Sequence, residues 1–447
     1  MPAMSSACTV SSNSPQSRGG YTLVELLLAA AIALGVMAAA ATLFALFGRT
    51  ASQSQATVEL GDRMRSTAWR LRQDLAGVTS DLRPWTEPEE DAGYFELVEG
   101  PKTDADAAHD TDRLDADTDD ILLFTTRTTG GPFVGRYGSN TLESPVAEVA
   151  WFCRPSASQP VAGTTLYDLH RRHLLVAAYV GLAPFSTGNN SIPFVSWPDF
   201  YGSYDLSCRR SGGRLYPNSL GDLTKRENRF WHGLSGTTSA AAFPYPLETA
   251  TLDGATFIGT AREGEDVVLT NLIAFDLRVF DPEVPAKTLA GTTVYPGDPG
   301  YPSATATSPQ SLGGYVDLGW AGGTVTSGTQ SFPPAGKTPL GSAGIKVVNN
   351  TTAAAELTTS GTGFRTYDTW SRHYEFNGIN EDGDTKTDEG IDGFDDDTDN
   401  IADDKDESET SPPYPVPLRG LEVRIRCYEP TSRQVRQVTI RHTFLSK

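Results

Sequence analysis

From Leu26 to Phe47 the chain carries no charged residue. As a helix rising 1.5 Å per residue, that stretch covers roughly 33 Å, enough to cross a hydrocarbon core of about 30 Å. The order of its flanking residues says whether such a helix is kept. A secretory signal puts its apolar run ahead of a small-residue cleavage site; here the small residues come first, in Ser17-Arg18-Gly19-Gly20, and the apolar run follows. Cleavage after Gly20 therefore leaves the helix on the mature protein as a single-pass anchor. Arg18 upstream and Arg49 downstream oppose one another, so flanking charge orients the helix poorly.

The helical period continues past the apolar stretch. Val58, Leu60, Met64, Ala68, Leu71 and Leu75 recur at spacings near three and four, with Arg63, Arg65, Arg70, Arg72 and Asp74 between them. This predicts one long helix over 21–78, apolar all round in its first half and amphipathic in its second, ending near Gly77 before Pro84. Glu25 stands at the top of the apolar part, where a lone carboxylate in lipid costs several kcal/mol and needs a reason to be there.

The stretch Gly20-Tyr21-Thr22-Leu23-Val24-Glu25-Leu26 resembles the prepilin peptidase site of type IV pilins and type II secretion pseudopilins, with Tyr21 where that family usually has Phe. The resemblance implies removal of residues 1–20 by a prepilin peptidase and N-methylation of Tyr21. It also implies that Glu25 pairs with the free amino terminus of a neighbouring pilin or pseudopilin during assembly. It orients the chain as well, anchored in a bacterial inner membrane with its C-terminal region in the periplasm or at the cell surface. Without the motif, Glu25 reads as an interfacial carboxylate reaching water.

After Pro84 the period switches from 3.6 to 2. Strands are predicted at Ile121–Arg127, Val146–Phe152, His173–Val180, Val267–Phe280, Leu421–Tyr428 and Arg433–Phe444, the last two joined as a hairpin through Pro430-Thr431-Ser432. The fold class expected is α+β, with the long helix packed on an antiparallel β-rich domain. A β-rich region over 79–282 carries an insertion near 181–260, and a Gly/Ser/Thr-rich insertion follows over 283–370. An acidic segment over 371–410 and the hairpin over 411–447 complete the chain. Ala147–Phe152 and Leu421–Arg426 are similar to the globular part of minor pseudopilin J, with minor pilin W a close competitor.

The net charge of −20 comes mostly from the run between Glu375 and Glu409 and opposes nucleic-acid binding, which needs a basic face. Within that run Asp395, Asp397, Asp399, Asp403 and Asp406 fall at positions 1, 3, 5, 9 and 12 of a calcium loop, with Asn400 at the turn position and the Ile401 carbonyl at position 7. A weaker upstream copy uses Asn380, Asp382, Asp384 and Asp388. Together the copies partly resemble the Asp-rich loops of thrombospondin type 3 and dockerin modules. The alternative is a solvated acidic loop. A second patch, Asp104 to Asp120, reads as solvated, having neither a Gly nor a closing carboxylate.

Cys153, Cys208 and Cys427 follow the predicted cleavage site, and Cys153–Cys208 is the pair expected if a disulfide forms; three buried thiols are the alternative. His170 and His173 read as packing or surface residues. No P-loop, dinucleotide fingerprint, nucleophile elbow or H-E-x-x-H occurs, so catalysis is not expected. Three functions stay open: a minor pseudopilin of type II secretion, a minor type IV pilus subunit serving adhesion, motility or DNA uptake, and a ligand-binding protein that borrows the anchor.

Overall fold

A computed structural model of the chain describes residues 20–101, 117–186, 188–233, 243–248, 262–298, 300–306, 312–321, 340, 365–381, 386–391, 393 and 408–444. The chain divides into two units, one up to Val58 and one from Glu59 onward. The first consists, where described, of the apolar part of helix α1 (Leu23–Ala76). Among the described residues this is the one helix long and apolar enough to cross a membrane, and none of its most apolar stretch is buried. Leu27, Ile32, Leu43 and Phe44 are exposed along it.

In the second unit the last turns of α1 bury Leu60, Met64, Thr67, Ala68, Leu71, Asp74 and Leu75. The stripe differs from the expected one at two places: Val58 is exposed and Asp74 is buried. Asp74 is admitted because its carboxylate accepts two hydrogen bonds of 2.7 Å from Arg171 and one of 3.0 Å from the Trp151 indole. The helix stops where Gly77 meets a strand end. A Cβ there would lie 2.1 Å from the Arg127 carbonyl oxygen, and Arg127 N–H donates to Gly77 O at 2.7 Å.

The stripe packs on an antiparallel sheet of nine strands. These are β1 (Phe95–Glu99), β2 (Ile121–Arg127), β3 (Val146–Pro155), β4 (Tyr167–Leu175), β5 (Val267–Pro285), β6 (Leu312–Val316), β7 (Arg365–Asp368), β8 (Gly420–Glu429) and β9 (Gln434–Thr443). Their spatial order is β7-β1-β2-β3-β4-β5-β8-β9, with β6 also on β5. The chain is thus α+β. The predicted hairpin is β8–β9, in register from Gly420↔Thr443 to Glu429↔Gln434. One expected strand is misplaced: His173–Val180 ends at Leu175 and begins at Tyr167, because Phe152 faces His170 and Pro155 faces Tyr167 across β3.

Alternation along β2 separates two cores. Leu122 and Phe124 join the helix-side core with Leu71, Trp151, Phe275 and Ile425, while Ile121 and Leu123 join a second core with Phe152, Leu174, Phe200, Leu223 and Trp231. That second face is covered by described residues of the stretch expected as an insertion near 181–260, among them Phe200, Leu223 and Trp231. Glu148 fastens it, its buried carboxylate accepting from Tyr94 Oη at 2.7 Å, Ser207 Oγ at 2.6 Å and Phe230 N at 2.8 Å. The later stretch also builds the sheet, supplying β6 and the edge strand β7. Cys153, half-buried, packs on the helix-side core and Cys208 is buried in the other, and both thiols are free, so the alternative of unpaired thiols describes them and no Cys153–Cys208 bridge forms.

Candidate functional site

At the N-terminal end of α1, Gly20 and Tyr21 precede the first helical residue and are exposed. Thr22 and Glu25 close a capping box: Thr22 N and Oγ1 donate to Glu25 Oε2 at 2.9 and 3.0 Å, and Glu25 N donates to Thr22 Oγ1 at 3.3 Å. Reading the sequence for charge alone left Glu25 without a partner. The T-x-x-E spacing at a helix start was the signal that supplied one. The box uses Oε2, and among the described residues Oε1 accepts no hydrogen bond.

A second arrangement lies in the sheet. One edge of β5 is paired by β4 from Val267 to Leu272 and by β6 from Val279 to Pro285. The intervening edge is filled by the segment before β2: Phe275 N donates to Asp117 O at 2.7 Å, and Leu277 N donates to Asp120 Oδ2 at 2.7 Å. Asp120 Oδ1 accepts from Gly100 N at 3.0 Å, which ties in the end of β1. Glu99, Asp117 and Asp120 are thereby gathered and fully buried, with one ligand oxygen from each within 4.8 Å of the others. The expectation of a solvated patch is corrected here. Asp117 and Asp120 are interior, because this segment completes the sheet; Asp115 lies outside the described residues.

Arg278, fully buried nearby, pairs with Asp276, Asp298 and Asp317. Among the described residues no cationic side chain pairs with Glu99, Asp117 or Asp120. Burial, and then the neighbouring charges of Asp120 and Asp276, push the Asp117 carboxyl up to about 12. Burial likewise raises Glu99 and Asp120 well above the usual carboxylate range, with Asp120 and Asp276 the leading neighbours of each in turn.

The residues expected to hold calcium in the C-terminal run, Asp395, Asp397, Asp399, Asp403 and Asp406, lie outside the described residues, as do Asp382 and Asp384 of the upstream copy. The base of the run is described. Glu375 accepts from Glu409 N at 2.9 Å and from Thr410 N at 3.1 Å, and Glu409 in turn accepts from Asp388 N at 2.7 Å. Asp388 turns its own carboxylate back onto Gly378 N at 3.0 and 3.1 Å.

His170 and His173 serve packing. His170 stacks on Phe152 with centroids 5.3 Å apart, and burial holds its pKa down at about 4. Another fully buried ionic group joins the edge of the sheet to its covering layer. Glu96 and Asp368 face each other across β1 and β7. Arg229 bridges them at 3.2 and 2.6 Å, with Arg226 and His232 also on Glu96. Burial alone would raise Glu96; Arg226, His232 and Arg229 hold it well below the usual carboxylate range.

No family model matches this chain, and neither a curated protein nor a solved structure matches it.

Proposed function

We propose that this chain is a minor pseudopilin-like structural subunit of a type II secretion system. A prepilin peptidase cuts it after Gly20, Tyr21 becomes its N-methylated terminus, and it assembles with other pseudopilins through α1. Its membrane is the bacterial inner membrane, its C-terminal unit is periplasmic, and its work is assembly rather than catalysis. The observation that carries this reading is the order of residues at one helix start: Gly20-Tyr21-Thr22-Leu23-Val24-Glu25 followed at once by an uncharged, exposed helical stretch. An exposed apolar stretch of that length needs lipid or other apolar helices around it.

In this reading Glu25 has two successive partners. Thr22 satisfies Oε2 within the subunit, and Oε1 accepts the amino terminus of a neighbour, so a carboxylate at the membrane boundary is never left alone. The Asp395–Asp406 run belongs to the same reading as a calcium loop, supported by the way Glu375 and Glu409 close its base.

Glu25→Gln and Thr22→Ala separate docking from capping. Gln still serves at the third helical position of a capping box, whereas the charge is gone. Glu25→Gln is expected to lower incorporation into the sheared filament fraction at least tenfold with protein level unchanged, while Thr22→Ala incorporates normally. Normal incorporation of Glu25→Gln sinks the docking role.

A further inference from the structure

Asp117 is 1% exposed, and among the described residues neither of its carboxylate oxygens has a hydrogen-bond partner. Among the described residues Asp119, Asp205, Asp317 and Glu381 each leave one buried carboxylate oxygen without a hydrogen bond, and Asp117 is the one that leaves both. Asp74, Glu148 and Glu375 each accept two or three hydrogen bonds, and Glu96 and Asp368 sit against arginines. Asp117 stands apart, and it is held in place by its backbone carbonyl on Phe275 rather than by its side chain. Beside it, Glu99 accepts only a long 3.4 Å contact from Leu318 N, and Asp120 accepts single N–H donors at each oxygen. Each of those oxygens keeps a lone pair in hand.

We propose that Glu99, Asp117 and Asp120 form a divalent-cation site, of the calcium class, in the gap between β4 and β6 on the edge of β5. The donor set is oxygen only, which suits a hard cation and excludes a zinc-type thiolate or imidazole centre. The span fits as well: two oxygens on opposite sides of a calcium ion stand roughly 4.6–5.2 Å apart, and these lie within 4.8 Å of one another. Three carboxylates supply more than the charge of the ion, and waters complete its shell. Arg278 does not fill this role, since it is taken up by Asp276, Asp298 and Asp317. The ion would cross-link the end of β1 and the segment before β2, which is itself hydrogen-bonded to the middle of β5 through Phe275 N and Leu277 N.

The site is independent of the anchor reading and distinct from the Asp395–Asp406 run, and the test keeps the two apart. Full-length protein in detergent, freed of metal with chelator, is titrated calorimetrically with CaCl2. Three forms are compared: wild type, Asp117→Asn, and a variant with Asp395, Asp397 and Asp399 all changed to Asn. The run variant is expected to keep one calcium ion bound. Asp117→Asn is expected to lose that ion's affinity at least tenfold while its circular dichroism matches wild type. Glu99→Gln is the second substitution and is expected to do the same. Calcium binding by Asp117→Asn and Glu99→Gln indistinguishable from wild type, or loss of all calcium binding in the run variant, overturns the proposal.

Discussion

Asp74→Ala is the sharpest perturbation of the contact between the helix and the sheet. An acid in the last turn of a helix opposes the helix dipole, so Asp74 is kept for what it touches: both the Nε and Nη2 atoms of Arg171 at 2.7 Å and the Trp151 indole at 3.0 Å. Removing the carboxylate leaves a guanidinium that is 9% exposed and an indole with no acceptor. Breaking a buried pair from one side costs about 3–5 kcal/mol, and the orphaned indole N–H falls within that range rather than adding fully to it. We expect about 4 kcal/mol. With a urea m-value of about 3 kcal/mol/M, the midpoint falls by roughly 1.3 M. The assay is equilibrium urea unfolding of the detergent-solubilised chain, followed by tryptophan fluorescence. Asp74→Ala combined with Arg171→Met should recover about 2 kcal/mol, since it removes the stranded charge. A loss under about 1 kcal/mol, or a double variant less stable than Asp74→Ala alone, refutes the reasoning.

Gly77→Ala forces a Cβ to within 2.1 Å of the Arg127 carbonyl oxygen, and should lower stability by about 1–3 kcal/mol in the same assay; an unchanged midpoint contradicts the tight helix end. Glu381 is buried, and burial with help from Asp388 and Glu375 raises it from 4.5 to about 8. A carboxyl raised in the folded state contributes stability below its unfolded pKa and loses it as pH climbs, so wild type should weaken from about pH 4.5 to 8. Glu381→Gln should show a shallower slope than wild type, keeping the part due to the other buried carboxyls, among them Glu375, which burial raises to about 7; superimposable pH profiles for the two proteins would count against this.

The helix and the β8–β9 hairpin were legible because their information is local: a 3.6 period in one case, an alternation across a short turn in the other. Strands β1 and β7 were not, because their pairing with one another joins residues such as Glu96 and Asp368 that are far apart in sequence. Charge misled in the same way twice. Asp74 was read as part of the polar face, and Asp117 and Asp120 as a solvated patch, although their burial follows from Arg171 and Trp151 in one case and from the bare edge of β5 in the other. At the N-terminus the motif residues were plain, and only the Thr22–Glu25 cap went unread.

The central claim is that the chain is cut after Gly20 and keeps its helix. It is tested most directly by the intact mass and N-terminal sequence of the protein from cells with and without their prepilin peptidase. The account predicts a peptidase-dependent start at Tyr21 with one added methyl group. A terminus that is uncut in both strains, or one lying beyond Phe47, contradicts it.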